Sequence, residues 1–198
     1  MSNRSIHTLL KNWDEECPLT REEAVEVLNL PEEEMDSLME CAYALRTKYK
    51  GKKVSVQLLT NVRSGNCTQN CAYCAQSKDS QAEIEKYKRV SDEKLYGDND
   101  LVDEKHLARH CIGLSGIGFS DEEIEDLADR IREMKKKDTQ ICCSIGFLTE
   151  KQARILKDAG LDRINHNLNS SRSFYPEICT THTYDQRVNN IKTVSYTH

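Results

Sequence analysis

No stretch of this sequence approaches the ~18 consecutive apolar residues of a membrane-crossing helix. The opening segment, Met1 to Glu16, lacks the apolar centre and small-residue cleavage site of a secretory leader. A basic surplus is missing too: 28 Lys and Arg stand against 33 Asp and Glu, a net charge of −5. That balance argues against nucleic acid as the partner, because binding phosphates needs a basic face. The short basic runs at 46–53 and 135–137 read as solvated helix ends. With no membrane and no nucleic acid implied, a cytoplasmic protein with reduced thiols is expected.

What the sequence does have is sulfur. It carries nine cysteines, and in a reducing compartment they point to metal or redox chemistry rather than disulfides. Three of them, Cys67, Cys71 and Cys74, stand in a C-x3-C-x2-C loop between an apolar run and a polar one. Thiolates bind soft metals. A structural zinc usually closes on four ligands, whereas three leave a position open. A cubane iron–sulfur cluster with one iron free for an exogenous ligand is therefore the working expectation.

Residues 1–52 read as a helical segment. Thr20 and Glu23 form a capping box, and Pro31 suits the first turn of a second helix. Met35, Leu38, Met39, Ala42, Leu45 and Tyr49 then recur at helical spacing as a packing face, with Gly51 as the stop. Residues 53–198 alternate strand and helix. Strands are expected over 54–59, 110–114, 140–145 and 161–168, and short helices at 82–87 and 102–108. Further helices open at the boxes Ser120/Glu123, Thr149/Gln152 and Thr183/Gln186. Helix starts that follow strands this regularly predict an α/β fold with a parallel sheet. Four βα units fall short of an eight-stranded TIM-type barrel of about 250 residues. The expectation is a partial (β/α) barrel, about its first four units, preceded by N-terminal helices and truncated at its C-terminus. Ser195 to His198 neither finish a helix nor begin a buried strand.

In parallel β/α folds the active groups gather at the carboxyl ends of the strands. The cysteine loop follows the first strand, Cys111 lies on the second, and Cys142 and Cys143 lie on the third. Alternation sends one of the last two inward, so at most one shares a face with Cys111. Asn165, Asn167 and Asn169 share one face of the fourth strand, with His166 and Leu168 on the other. Asparagine is poor strand material and costly to bury without partners, so three on one face imply a polar ligand. Cys17 and Cys41 read as packing residues, and Cys179 has no assignment. His106 and His110, spaced i and i+4 with no glutamate between them, are read as a coincidence. The glycines at 113, 116 and 118 do not match the dinucleotide fingerprint.

The run Cys67-Thr68-Gln69-Asn70-Cys71-Ala72-Tyr73-Cys74 resembles the signature of the radical S-adenosylmethionine enzymes. Among them the chain is most similar to the biotin synthase family. Ala75-Gln76-Ser77, the stretch Gly160–Ser171, Phe174-Tyr175 and Thr180–Tyr184 carry that resemblance over roughly residues 30–194. It implies a 4Fe–4S cluster on Cys67, Cys71 and Cys74, with S-adenosylmethionine on the open iron. Reductive cleavage would give a 5′-deoxyadenosyl radical that abstracts hydrogen from dethiobiotin, and an auxiliary iron–sulfur cluster, 2Fe–2S or another type, would donate sulfur. Cys111 and Cys142 fall at auxiliary ligand positions, and Cys143 is an extra thiol beside them. Tyr73, Asn167 and Asn169 would contact S-adenosylmethionine, and Asn165 the ureido ring of dethiobiotin. An electron donor such as flavodoxin or ferredoxin is implied, as is a homodimer at full length.

Two departures qualify the resemblance. Position 169 is often acidic in the family, and Asn169 is neutral. The family barrel also continues for four more βα units, so the chain as given is expected to be inactive. Two alternatives stand beside it: another radical enzyme with a different substrate, and a non-catalytic zinc-binding domain on the same loop.

Overall fold

The computed structural model describes residues 19–195. The opening segment, Cys17 and residues 196–198 lie outside that range. The chain divides into two units, Met1–Val54 and Ser55–His198.

In the first unit, α1 (Arg21–Leu28) opens at Thr20, whose hydroxyl accepts from Glu23 N while Glu23 returns the bond to Thr20 N. A 3-10 turn (Glu32–Glu34) leads into α2 (Met35–Lys50). Gly51 ends α2 at φ 63°, and Arg46 donates to the carbonyls of Gly51 and Lys53 at 3.1 and 2.7 Å. On the expected packing face of α2, Leu38 and Leu45 are half-buried, and Met35, Met39, Ala42 and Tyr49 are exposed. No residue of α1 or α2 is buried, and Met39 is 66% exposed.

The second unit alternates strands and helices: β1 (Gln57–Arg63), α3 (Asp92–Glu104), β2 (Arg109–Leu114), α4 (Asp121–Met134), β3 (Ile141–Ser144), α5 (Glu150–Asp158) and β4 (Arg163–Asn165). A short α6 (Tyr175–Ile178) and α7 (Tyr184–Ser195) follow. The strands pair in parallel in the order β1-β2-β3-β4. Ser91, Ser120 and Thr149 cap α3, α4 and α5 through their hydroxyls, and Thr183 and Gln186 do the same reciprocally for α7. One sheet face meets the helices. There Ile112, Ile141 and Cys143 pack against Ile124, Leu127, Ile131 and Leu156. Each isoleucine or leucine so enclosed stabilises the fold by about 1.5–3 kcal/mol.

Polar residues interrupt this face at one place. His110, fully buried, lies with Nε2 2.8 Å from Thr60 Oγ1, and Thr60 donates to Asp98 at 2.6 Å. His110 Nδ1 lies 3.2 Å from Asn99 Oδ1, and Asn99 donates to Met134 O. Such a network fixes how α3 sits on β1 and β2.

Several boundaries differ from expectation. β1 begins at Gln57, with Val54 and Val56 exposed, because its pairing with β2 starts at Gln57↔Arg109. Residues 82–87 are not helical. Their backbone pairs with the end of β1 instead, as Ser64 and Tyr87 exchange two bonds of 3.0 Å. The helix expected over 102–108 starts ten residues earlier at the Ser91 cap and ends at Glu104, before His106 turns to φ 50°. His106 and His110 therefore do not share a helix. β4 stops at Asn165, leaving Asn167 and Asn169 beyond the strand, Asn169 in the left-handed region at φ 66°.

Candidate metal and cofactor site

The cysteine loop is built by turning the chain sharply at the end of β1. Gly65 and Asn66 take φ of 68° and 54°, a conformation that favours glycine and tolerates asparagine. Gln76 accepts from Gly65 N, and Lys78 N bonds Gln69 O at 2.9 Å, closing the loop on itself. The loop is also fastened from afar. Ala72 N donates to Ile178 O at 2.9 Å. Asn70 Oδ1 accepts from Thr180 N at 3.0 Å and Thr181 N at 3.3 Å.

One cavity of about 400 Å³ opens above the carboxyl ends of the four strands. Cys67, Cys71, Cys74 and Tyr73 line it from the loop; Asn165, Asn167 and Asn169 line it from β4 and beyond. His166, expected on the opposite face, also reaches this cavity. Strand alternation no longer governs it, because β4 has ended one residue earlier. Its Nε2 is buried with no hydrogen-bond partner, and burial, then Arg187, pushes its pKa down.

The sheet face below the cavity is ordered in rows by the register. Leu59, Cys111, Cys142 and Arg163 form one row; Asn61, Gly113, Ser144 and Asn165 form the next. Cys111 and Cys142 are thus direct neighbours, though neither lines the cavity. Burial, then the Cys111 thiol, pushes Cys142 up to about 11. Cys143 points the other way, into the helix-covered core, where burial pushes its pKa up as well.

Sequence reasoning missed Arg187, the one lysine or arginine among the described residues lining the cavity. It sits in the first turn of α7, donates to Asn167 O at 3.0 Å and to the Tyr175 hydroxyl, and lies 3.4 Å from the Tyr73 hydroxyl. The Thr183/Gln186 capping box was the available signal, since it places the next residue at a helix start after β4. Tyr73 is held in turn by Asn169, whose amide donates to its hydroxyl. Gln69 and His182 were missed as well. They join at 2.9 Å behind Cys71, beside Cys179. Cys71 is pushed up to about 11 by burial and then by the Cys179 thiol. At Cys179 burial is outweighed by hydrogen bonds from Thr181 and the His182 backbone, and its pKa falls.

Residues 61–195, which carry the three loop thiols and the strands below the cavity, match the profile of the Radical SAM superfamily. The chain belongs to that superfamily. It is 41% identical over 177 residues to the biotin synthase of Geobacillus kaustophilus, covering 89% of this chain and 53% of that one. The biotin synthase of Bacillus subtilis is 41% identical over 175 residues, covering 88% and 52%. The chain therefore spans about half the length of the curated relatives it matches. Among solved structures, methylornithine synthase superposes with a TM-score of 0.80 at 16% identity, over 96% of this chain and 55% of that one. The [FeFe]-hydrogenase maturase HydG of Carboxydothermus hydrogenoformans gives 0.75 at 20% identity, over 90% and 42%. These neighbours share the TIM-barrel-like α/β fold.

Membership in the radical SAM superfamily implies a 4Fe–4S cluster and S-adenosylmethionine, and the residues present fit both. Three soft thiols line the cavity wall, and the raised pKa of Cys71 is that of a metal-free state, since a coordinated thiol is deprotonated. Amides, a tyrosine and one guanidinium supply donors and acceptors for a zwitterionic nucleoside.

Proposed function

We propose that this chain is the cluster- and cofactor-binding part of a biotin synthase-type radical enzyme, acting in sulfur insertion into dethiobiotin. The observation that carries the reading is the shared cavity, which brings the three loop thiols, Arg187 and the three asparagines together. The cluster, when bound, supplies the electron that cleaves S-adenosylmethionine to the 5′-deoxyadenosyl radical.

The chain's own residues bind and orient. Cys67, Cys71 and Cys74 hold the cluster. Arg187 meets the cofactor carboxylate, held charged by the Tyr175 hydroxyl although burial opposes it. Tyr73 offers a ring face to the adenosyl group, and its burial-raised pKa keeps the hydroxyl protonated. Asn167 and Asn169 accept from and donate to the ribose, and Asn165 offers its amide to the ureido ring. Cys111 and Cys142 supply two neighbouring thiols to an auxiliary cluster one row deeper. Leu59 and Ile117, on the same cavity wall, exclude water from the radical's path.

Anaerobic reconstitution with iron and sulfide tests the reading in a Cys111→Ala/Cys142→Ala background. About four irons per chain and a signal that shifts on adding S-adenosylmethionine are expected. A colourless protein that takes only zinc would overturn it. Dethiobiotin-dependent cleavage of S-adenosylmethionine by a full-length version separates this substrate from others in the superfamily.

A further inference from the structure

Behind the cysteine loop, Cys71 and Cys179 bring their sulfurs to 3.8 Å, and Cys179 Sγ lies 3.3 Å from His182 Nδ1. The three side chains are 8%, 3% and 5% exposed, and their ligand atoms lie within 4.8 Å of one another. A tetrahedral zinc with Zn–S of about 2.3 Å and Zn–N of about 2.0–2.1 Å has an S···S edge of about 3.8 Å and an S···N edge of about 3.5 Å. The Cys71–Cys179 and Cys179–His182 spacings match those edges. A second observation points the same way: Gln69 Oε1, 2.9 Å from His182 Nδ1, and Cys179 Sγ both face one ring nitrogen. Two acceptors turned on one point mark a place for positive charge, filled by a single proton when no metal is bound.

We propose that Cys71, Cys179 and His182 form a second binding site for a thiophilic divalent cation of the zinc class, with Gln69 Oε1 placed to complete the coordination. On binding, two thiol protons leave and the ring proton passes to His182 Nε2, which lies 2.9 Å from the Tyr175 hydroxyl. Tyr175, itself 2% exposed, accepts there and fixes the ring. Arg187 Nε, now 3.2 Å from Nε2, then keeps only its bond to Tyr175. Cys71 belongs to both sites, so zinc here and a cluster on the loop exclude each other. That exclusion rests on the functional reading above; the zinc site does not.

Cobalt(II) replaces zinc as a coloured probe of the cluster-free 198-residue chain. A Cys67→Ala/Cys74→Ala variant keeps a one-to-one tetrahedral cobalt spectrum with thiolate charge transfer. Adding Cys179→Ala or His182→Ala to it abolishes the tetrahedral band or weakens binding at least tenfold. Zinc-edge X-ray absorption of the unmutated chain, which needs no variant to fold, shows two sulfur and two nitrogen or oxygen neighbours. A three-sulfur shell, a cobalt band lost with Cys67 and Cys74 but indifferent to Cys179, or no metal binding at all would each overturn the site. Cluster assembly on Cys67, Cys71 and Cys74 is scored separately, so either idea can fail alone.

Discussion

Asn70 grips Thr180 from both sides: its Oδ1 accepts from Thr180 N at 3.0 Å, and its Nδ2 donates to Thr180 Oγ1 at 2.7 Å. The middle of the cysteine loop is thereby held against the chain that follows α6. Asn70→Ala removes these bonds and is expected to lower unfolding free energy by about 1–2 kcal/mol, since they are partly exposed. Urea denaturation measures that loss. Iron retention after desalting should fall too, and unchanged retention would show that the loop holds its shape without the clamp.

Arg187 is the cation facing the cavity. Arg187→Gln keeps the length and some donors but drops the charge. S-adenosylmethionine affinity of the reconstituted chain should fall about tenfold or more by calorimetry, equivalent to at least ~1.4 kcal/mol. Methionine alone, which keeps the same carboxylate, should lose affinity in parallel.

His110 gives a pH dependence. Burial, working against the attraction of Asp98, lowers it from 6.5 to about 4. The unfolded chain then binds a proton between about pH 6.5 and 4 that the folded chain refuses, so stability falls as pH drops through that window. Above pH 6.5 the ring is neutral in both states and the effect vanishes; below about pH 4 the loss is complete. A His110→Gln variant should show a flatter urea midpoint over the same interval, and an unchanged slope would assign the pH dependence to other groups.

Adjacent thiols on β3 should behave oppositely. Cys143 is fully buried among apolar side chains, so Cys143→Ser buries a hydroxyl and should cost about 1–3 kcal/mol of stability. Cys142→Ser, on the row shared with Cys111, should cost less stability. It should instead remove the iron that remains in a Cys67→Ala/Cys74→Ala background, measured by metal analysis.

The parts of this architecture legible in the sequence are those with local causes. Ser120, Thr149 and Thr183 announce their helices because a cap needs only a hydroxyl and a glutamate or glutamine three residues on. The facing of Cys142 and Cys143 follows from strand alternation alone, up to the choice of which turns inward. Register makes that choice, by setting Cys142 beside Cys111. Residues 82–87 are not helical because their hydrogen bonds go to Ser64, just past the end of β1, which local periodicity does not encode. His166 went unrecognised for a related reason: β4 ends early, and the pattern of two fails past its end. Cys179 and His182 carry no spacing motif with Cys71, so only the folded chain brings them together.

The bond between Asn70 and Thr180 spans 110 positions of sequence, and this has a consequence in time. The sheet grows in chain order, each strand laid beside its predecessor, so the first units can settle while later ones are still being synthesised. The cysteine loop cannot, because its clamp is made more than a hundred residues after the loop itself. At roughly 5–20 residues per second of synthesis, its thiols remain open for about 5 to 22 seconds before Thr180 arrives to set them.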